Sequence, residues 1–369
     1  MSQVDLFILA AEQSADLQGS KLIEEILRID PTLRIAAVAG PRMRKLPIET
    51  LFPMENLQVM GFIDVIFALP KIMRQFFAIR KTILEINPKA VICIDYPGFN
   101  LRLERSLRKK GFQGKLIHYI CPTVWAWGKK RIPLMENHLD LLLTLFPFEK
   151  NCFSPEKLRV EHVGHPLISA IPPQTPKREN LLALFPGSRT SEIERNLPLQ
   201  LAVAKKLQAE DPSMAIAISI SHIEKETQIQ RLAHNFPCRF APPDKSYSLM
   251  QSAKLAIATS GTVTLELALH ETPTIVNFAI RPLDVFLAQK IFRINLPFYC
   301  IVNIIASKEI FPEFFGPNLT EKALFNAAHT LWNNPEKQKI MEEGCREIRH
   351  LLGSGNASEK AAQLIRPLA

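Results

Sequence analysis

No uninterrupted apolar stretch approaches the roughly 18 to 20 residues that cross a bilayer, so any membrane contact is expected to be peripheral. No G-x-G-x-x-G follows an apolar run and no G-x-x-x-x-G-K-S/T occurs, which removes support for dehydrogenase and P-loop readings. The six cysteines (Cys93, Cys121, Cys152, Cys238, Cys300, Cys345) lie far apart, mostly inside apolar runs, without a C-x-x-C pair. They read as reduced core residues rather than as disulfide, redox or metal-binding groups. His162 and His165 have a metal-like spacing but sit at a strand end without further ligands, so no metal site is expected. Zinc-finger and aromatic ribonucleoprotein signatures are missing and Lys and Arg are spread along the chain, so nucleic acid is not an expected partner. The opening segment carries no basic secretory leader, and its apolar run is short and preceded by Asp5; it reads as a cytoplasmic start.

What is present is length, positive charge and a repeating pattern. At 369 residues the chain exceeds what one core usually supports, so two domains with a cleft between them are expected. The net charge of +9 favours an anionic partner: nucleotide, phosphorylated sugar or acidic membrane. Mean hydropathy is slightly positive, which a large core or an exposed apolar patch explains equally well. Short apolar runs at 6–10, 91–94, 116–120, 141–145, 181–185, 216–220, 255–258 and 274–278 alternate with helical patterns, for example Leu22, Ile23, Ile26 and Leu27 on one face. Right-handed crossovers then build parallel sheets covered on both sides. The Pro-rich segment 171–177 reads as the linker between two Rossmann-like, doubly wound α/β halves, whose ligands belong at the carboxyl ends of the strands.

Five stretches carry polar groups on that edge. At 184–193 an apolar run meets Gly187, Ser188 and Arg189, and Ser191 with Glu194 resembles a capping box, so a helix N-terminus would face an anion. Ser260, Gly261, Thr262 and, one turn on, Glu266 repeat that logic, with Glu266 placed to accept from ribose hydroxyls. After the first run come Glu12, Ser14 and Asp16; Ser14 reads as a helix cap and Asp16 as a charge at the helix's positive end, while Glu12 lies nearer the crevice. Asp95 follows a very apolar run, where it either acts as general base or caps the next turn. Trp125 and Trp127 share a loop with Lys129, Lys130 and Arg131, which suits sugar stacking and phosphate steering, or a core indole with a solvated helix start. Finally, residues 58–81 mix large apolars with Lys71, Arg74, Arg80 and Lys81, as either an interfacial helix or a buried one with snorkelling cations does.

In order, and over nearly the whole chain, these motifs resemble those of lipid-A-disaccharide synthase, a glycosyltransferase family (family 19) of the GT-B fold. The family's A-G-E-x-S-G-D is similar to residues 10–16, its M-G-F to 60–62, its I-D-Y-P-G-F-N to 94–100 and its V-W-A-W to 124–127. Its L-P-F-E, G-H-P-L, P-G-S-R and S-G-T-x-T-L-E are similar to 146–149, 164–167, 186–189 and 260–266, and its L-P-N and P-E-F/L to 301–304 and 312–314. The chain departs from the pattern at Ala11 and Ala15, which replace glycines, at Val302, which replaces proline, and at Gly98, where some relatives carry a second Asp.

The resemblance implies an inverting, metal-independent hexosyltransferase without a cofactor. It would condense UDP-2,3-diacylglucosamine with 2,3-diacylglucosamine 1-phosphate (lipid X) to β-1,6-linked lipid A disaccharide 1-phosphate and UDP. Asp95 is then the expected base, with Glu12 a second catalytic candidate; Ser188, Arg189, Ser260, Gly261 and Thr262 would hold the diphosphate, Glu266 the ribose, and Asn303 and Trp125 would orient substrate. Val59, Met60, Phe62, Ile66, Phe67, Leu69 and Met73 would meet acyl chains and anionic phospholipid on the cytoplasmic face of the inner membrane. The division expected is 1–170 (N-terminal, acceptor and membrane side), 178–345 (C-terminal, UDP-sugar side) and a C-terminal helical segment 346–369, its packing onto the N-terminal domain left open, as is a homodimer. The rivals are a UDP-sugar 2-epimerase of the same fold and a non-catalytic peripheral lipid-binding protein.

Overall fold

Each apolar run becomes a strand because both of its faces are covered, and the odd and even residues of a strand go to different cores. A computed structural model describes residues 4–57, 62–280 and 296–369, with residues 62–68 described by their backbone alone. Along the chain come β1 (Leu6–Ala10), α1 (Gln13–Ile29), β2 (Ile35–Ala39), β3 (Glu49–Pro53), α2 (Phe62–Ile86), β4 (Ala90–Ile94), α3 (Pro97–Lys109), β5 (Lys115–Tyr119), α4 (Ile132–Glu136), β6 (Leu141–Thr144) and β7 (Arg159–His162). There follow α5 (Leu167–Ala170), β8 (Glu179–Phe185), α6 (Thr190–Glu210), β9 (Ala215–Ser219), α7 (Glu226–Leu232), β10 (Arg239–Ala241), α8 (Ser246–Ser252) and β11 (Ala253–Thr259). The chain continues through α9 (Thr262–Leu269), β12 (Thr274–Phe278), α10 (Ile301–Ala306), β13 (Glu313–Phe315), α11 (Glu321–Trp332), α12 (Pro335–Leu351) and α13 (Ala357–Ile365). Met1–Pro166 with Ser354–Ala369 form one unit and Leu167–Gly353 a second.

The first unit holds a parallel sheet of order β3-β2-β1-β4-β5-β6-β7. On one side Phe7, Leu9, Val91 and Cys93 pack on Ile79 and Ile83 of α2 and Leu103 and Leu107 of α3. On the other, Leu6, Ile8, Ile92 and Ile94 pack on Leu22, Ile23 and Ile26 of α1 and on Ala357, Ala361 and Ile365 of α13. The small residues of α13 let it lie close to α1, and Asn356 and Glu359 bond Glu25 and Arg28 at its edge. The second unit repeats the plan with the order β10-β9-β8-β11-β12-β13, also all parallel. In both sheets the chain runs outward from its first strand and then returns to that strand's other side, so the winding reverses between β1 and β4 and between β8 and β11. Flanking helices diverge at such a reversal and leave a crevice at the carboxyl edge.

Two local expectations change. Ser14 does not cap α1: the N-cap is Glu12, and the Ser14 hydroxyl donates to the Glu12 carboxylate at 2.9 Å. Asp16 is buried and does more than favour a helix end, since its carboxylate accepts from the backbone N–H of Arg42 (2.8 Å) and Met43 (3.1 Å). Gly40 makes room for it, for a Cβ there would lie 2.5 Å from the carboxyl carbon. The Pro-rich segment belongs to the second unit: the Ile171 carbonyl accepts from Arg349 at 2.8 Å, and Arg178 donates to the carbonyls of Met250 and His270. The six cysteines are free thiols.

Asp16→Ala leaves the buried Met43 N–H and the part-buried Arg42 N–H without their acceptor and should cost about 1–3 kcal/mol, read as an earlier urea-unfolding midpoint of the first unit. An unchanged midpoint would mean that the β2–β3 connection does not depend on this carboxylate.

Candidate functional site

A cavity of about 410 Å³ opens at the carboxyl ends of β8 and β11, where the winding of the second sheet reverses. Gly187 and Ser188 after β8, Ser260, Gly261 and Thr262 after β11, and Glu266 on α9 line it. Gly187 has φ +110, a backbone conformation that side chains with a Cβ rarely adopt. A Cβ on Gly261 would meet nothing within 4 Å, so a ligand can approach that backbone closely. Gly261 is the N-cap of α9, which presents its first N–H groups to the cavity as an anion seat. Glu266 is half-buried with the Tyr247 hydroxyl 3.5 Å from one oxygen; burial raises its carboxyl pKa, opposed by that hydrogen bond. The pair offers acceptors and a donor that suit a diol such as a ribose.

Behind the cavity, three fully buried amides that the sequence reading did not single out hold its walls. Asn277 of β12 donates to Asn196 of α6 at 2.9 Å, and Gln200 of α6 donates to Asn277 at 2.8 Å and to the Phe185 carbonyl at 3.3 Å. This chain of bonds locks the first turns of α6 to β8 and β12. Polar residues on the apolar face of a helical pattern were the only signal available for it.

The turn after β8 is capped differently from expectation. Ser191 and Glu194 do not form the box; Arg189 is the N-cap and Glu192 stands at N3. One oxygen of Glu192 accepts from the N–H groups of Ser188 and Arg189, both at 3.2 Å, and the other lies 2.9 Å from the Arg189 guanidinium. Arg189 itself is highly exposed and lies outside the cavity lining. The anion seat at this helix start is therefore held by the chain's own carboxylate.

Asn303 is not placed to orient a substrate. It is fully buried, its amide donating to the Phe311 carbonyl at 2.8 Å and accepting from Ile310 (2.8 Å) and Phe311 (2.9 Å), so it braces α10 against the following loop. Glu313 completes that brace by accepting from the N–H groups of Tyr299 and Cys300, while burial raises its pKa.

In the first unit Glu12 and Asp95 stand just past the paired residues Ala10 and Ile94, at the reversal between β1 and β4. Asp95 and Tyr96 are both left-handed, with φ 49 and 46. Each such residue costs about 1–3 kcal/mol and persists only where surroundings over-determine it. Here Asn100 does so, donating to the carbonyls of Ile94 (3.2 Å) and Asp95 (2.6 Å), while the Asp95 N–H is held by Tyr119. Strain at a sheet's ligand edge is a mark of a functional position. The Tyr96 phenol has its pKa raised by burial and, to a lesser degree, by the Glu12 charge.

Trp125 is half-buried and edge-on to Phe148 at 5.4 Å. Trp127, 53% exposed with Arg131 5.0 Å over its ring, is the more open aromatic of this loop. Glu149 accepts from the Phe146 N–H at 3.1 Å, and burial pushes its pKa up to about 8. His165 stacks on Phe146 at 5.3 Å, its pKa pushed down to about 4 by burial; His162 bonds the Leu145 carbonyl. No cluster able to hold a metal occurs among the described residues.

Of the apolar segment, Val59 and Met60 lie outside the described residues, and so do the side chains of Phe62, Ile66 and Phe67 on α2. Leu69 and Met73 are exposed, at 53% and 45%, and Phe77 joins them at the same four-residue step with 46%. Ile79 and Ile83 turn a neighbouring stripe into the core, so α2 carries one apolar stripe inward and another, beside it, outward. No helix of the described residues is long and apolar enough to cross a membrane.

Comparison with known proteins supplies the family. The chain's fold is GT-B: the glycosyltransferase of kitacinnamycin superposes with TM-score 0.61 at 13% identity, covering all of both chains. A Methanocaldococcus jannaschii UDP-GlcNAc 2-epimerase, solved with UDP-GlcNAc and UDP, superposes with TM-score 0.55 at 13% identity, over 99% of this chain and 100% of that one. At these identities the likeness concerns fold alone. Lipid-A-disaccharide synthase of Chlamydia trachomatis serovar D is 37% identical over 96% of this chain, which spans 61% of that relative's length. The enzyme of the same name from Geobacter sulfurreducens is 31% identical over 98% of this chain and 96% of its own. A family model described as lipid-A-disaccharide synthetase matches residues 6–366, and the chain belongs to that family of glycosyltransferases.

Proposed function

We propose that the chain transfers the 2,3-diacylglucosaminyl group of its UDP derivative to the 6-hydroxyl of 2,3-diacylglucosamine 1-phosphate, forming a β-1,6-linked disaccharide 1-phosphate and UDP. The observation that carries this reading is family membership together with the cavity at the β8/β11 reversal, whose N–H groups and carboxylate match a sugar nucleotide's two ends. The nucleotide's ribose is held by Glu266 and Tyr247, and its diphosphate by the start of α9 at Ser260, Gly261 and Thr262, with Arg189 adding positive charge as the phosphate leaves.

Inversion suits a single in-line displacement. Asp95 takes the proton of the acceptor hydroxyl as its oxygen bonds the anomeric carbon, while the bond to the diphosphate breaks and its electrons leave with UDP. Glu12 is the second candidate for the same role. Acyl chains and membrane are met by the outward stripe of α2, where Leu69, Met73 and Phe77 stand beside the exposed Lys71 and Arg74, a mixture that favours anionic headgroups over an apolar boundary. On this reading the protein works at the cytoplasmic face of the inner membrane.

Given both acylated sugars, the purified protein should release UDP in step with disaccharide. Epimerised UDP-sugar without disaccharide would replace this reading by that of an epimerase. Asp95→Asn should lower turnover by about 100-fold or more with UDP binding little changed; near-normal turnover would remove Asp95 as base. Replacing Leu69, Met73 and Phe77 together by Ser should reduce sedimentation with anionic vesicles, and equal co-sedimentation of the folded variant would detach α2 from the membrane.

A further inference from the structure

Two carboxylates line a cavity read as a diphosphate site, and only one of them has an evident use. Glu266 faces the end where hydroxyls are expected. Glu192 lies at the phosphate end, close enough to Gly187 that a Cβ there would fall 2.9 Å from its carboxylate oxygen. Unscreened at this position, a carboxylate repels an incoming diphosphate. Yet its contacts are those a phosphate oxygen makes at a helix start: two consecutive backbone N–H groups at 3.2 Å and a guanidinium at 2.9 Å.

We infer that Glu192 is an internal stand-in for a UDP phosphate group, which UDP must displace from the Ser188 and Arg189 N–H groups and from the Arg189 side chain. This rests on the reading of the cavity as the UDP site. Without ligand, the carboxylate satisfies N–H donors that otherwise face open solvent and keeps the Gly187 turn in shape. With UDP, Arg189 and the two N–H groups change partner from carboxylate to phosphate, and the Glu192 side chain swings toward solvent. Its backbone need not move, because the Glu192 carbonyl stays tied to Asn196 at 2.8 Å and Asn196 to Asn277. The exchange lowers the affinity for UDP, since one internal contact is lost for each one gained. A product that is held less tightly leaves sooner, so Glu192 is a positioning residue that sets release of UDP.

Titration calorimetry with UDP and with uridine, which lacks the phosphates, separates the two ends of the cavity. Glu192→Gln keeps the shape but not the charge; it should bind UDP about 3- to 10-fold more tightly, as loss of a competing surface ion pair and of charge repulsion allows, with uridine affinity unchanged. UDP binding that is equal or weaker in the variant, with the wild type binding normally, overturns the inference and leaves the site reading standing. A wild-type chain that does not bind UDP removes both. A crystal structure of the wild type with UDP tests the same point without a variant: a phosphate oxygen should sit on the Ser188 and Arg189 N–H groups with the Glu192 carboxylate displaced, and a carboxylate still seated there beside bound UDP contradicts the exchange.

Discussion

The structure depends on one topological constraint: in each parallel sheet the chain must come back to the free side of its first strand. In the first unit β4 returns beside β1, and in the second β11 returns beside β8. Because right-handed crossovers put the helices of the two arms on opposite faces, the helices diverge at the point of return and leave a crevice at the carboxyl edge. The residues that the motifs single out as chemically able, Glu12 and Asp95 in one unit and Ser188, Ser260 and Glu266 in the other, stand at these two edges. Neither unit needs a glycine-rich nucleotide fingerprint to do this, since the reversal itself supplies the crevice and the helix starts supply the N–H groups.

Around each edge the protein invests buried polar bonds where an apolar core would leave the turn free to shift. Asn100 holds the left-handed Asp95 and Tyr96, Asp16 holds the loop after β2, and the amides of Asn196, Gln200 and Asn277 hold the start of α6. These bonds fix backbone geometry, and the groups left open to solvent are the ones to which the proposed function assigns chemistry. Glu192 belongs to both classes, being a cap for its own helix and a competitor for the ligand that the same N–H groups would bind.

The strands buried on both faces were legible as apolar runs: β1, β4, β5, β6, β8, β9, β11 and β12 all coincide with one. β3, β7, β10 and β13 are at sheet edges or half exposed, so their mixed residues form no run, and the alanine-rich β2 is too weakly apolar to stand out. At the start of α6, Arg189, Thr190 and Ser191 offer neighbouring places to begin a helix, and the Glu192 carboxylate, by accepting from the Ser188 and Arg189 N–H groups, fixes Arg189 as the N-cap rather than Ser191. Asn303 looked like a polar motif residue free to touch substrate, but the bonds that consume it come from Ile310 and Phe311, in a loop no spacing rule connects to it. The inward and outward stripes of α2 were both present in the composition; only packing decided which residues faced away.

The central claim is that the β8/β11 edge is a UDP site, and amide hydrogen exchange of the whole chain with and without UDP tests it most directly. The account predicts slowed exchange in residues 186–193 and 259–266, flanking the cavity. Slowing confined to the β1/β4 edge at residues 11–16 and 94–100, with 186–193 and 259–266 unchanged, would contradict it.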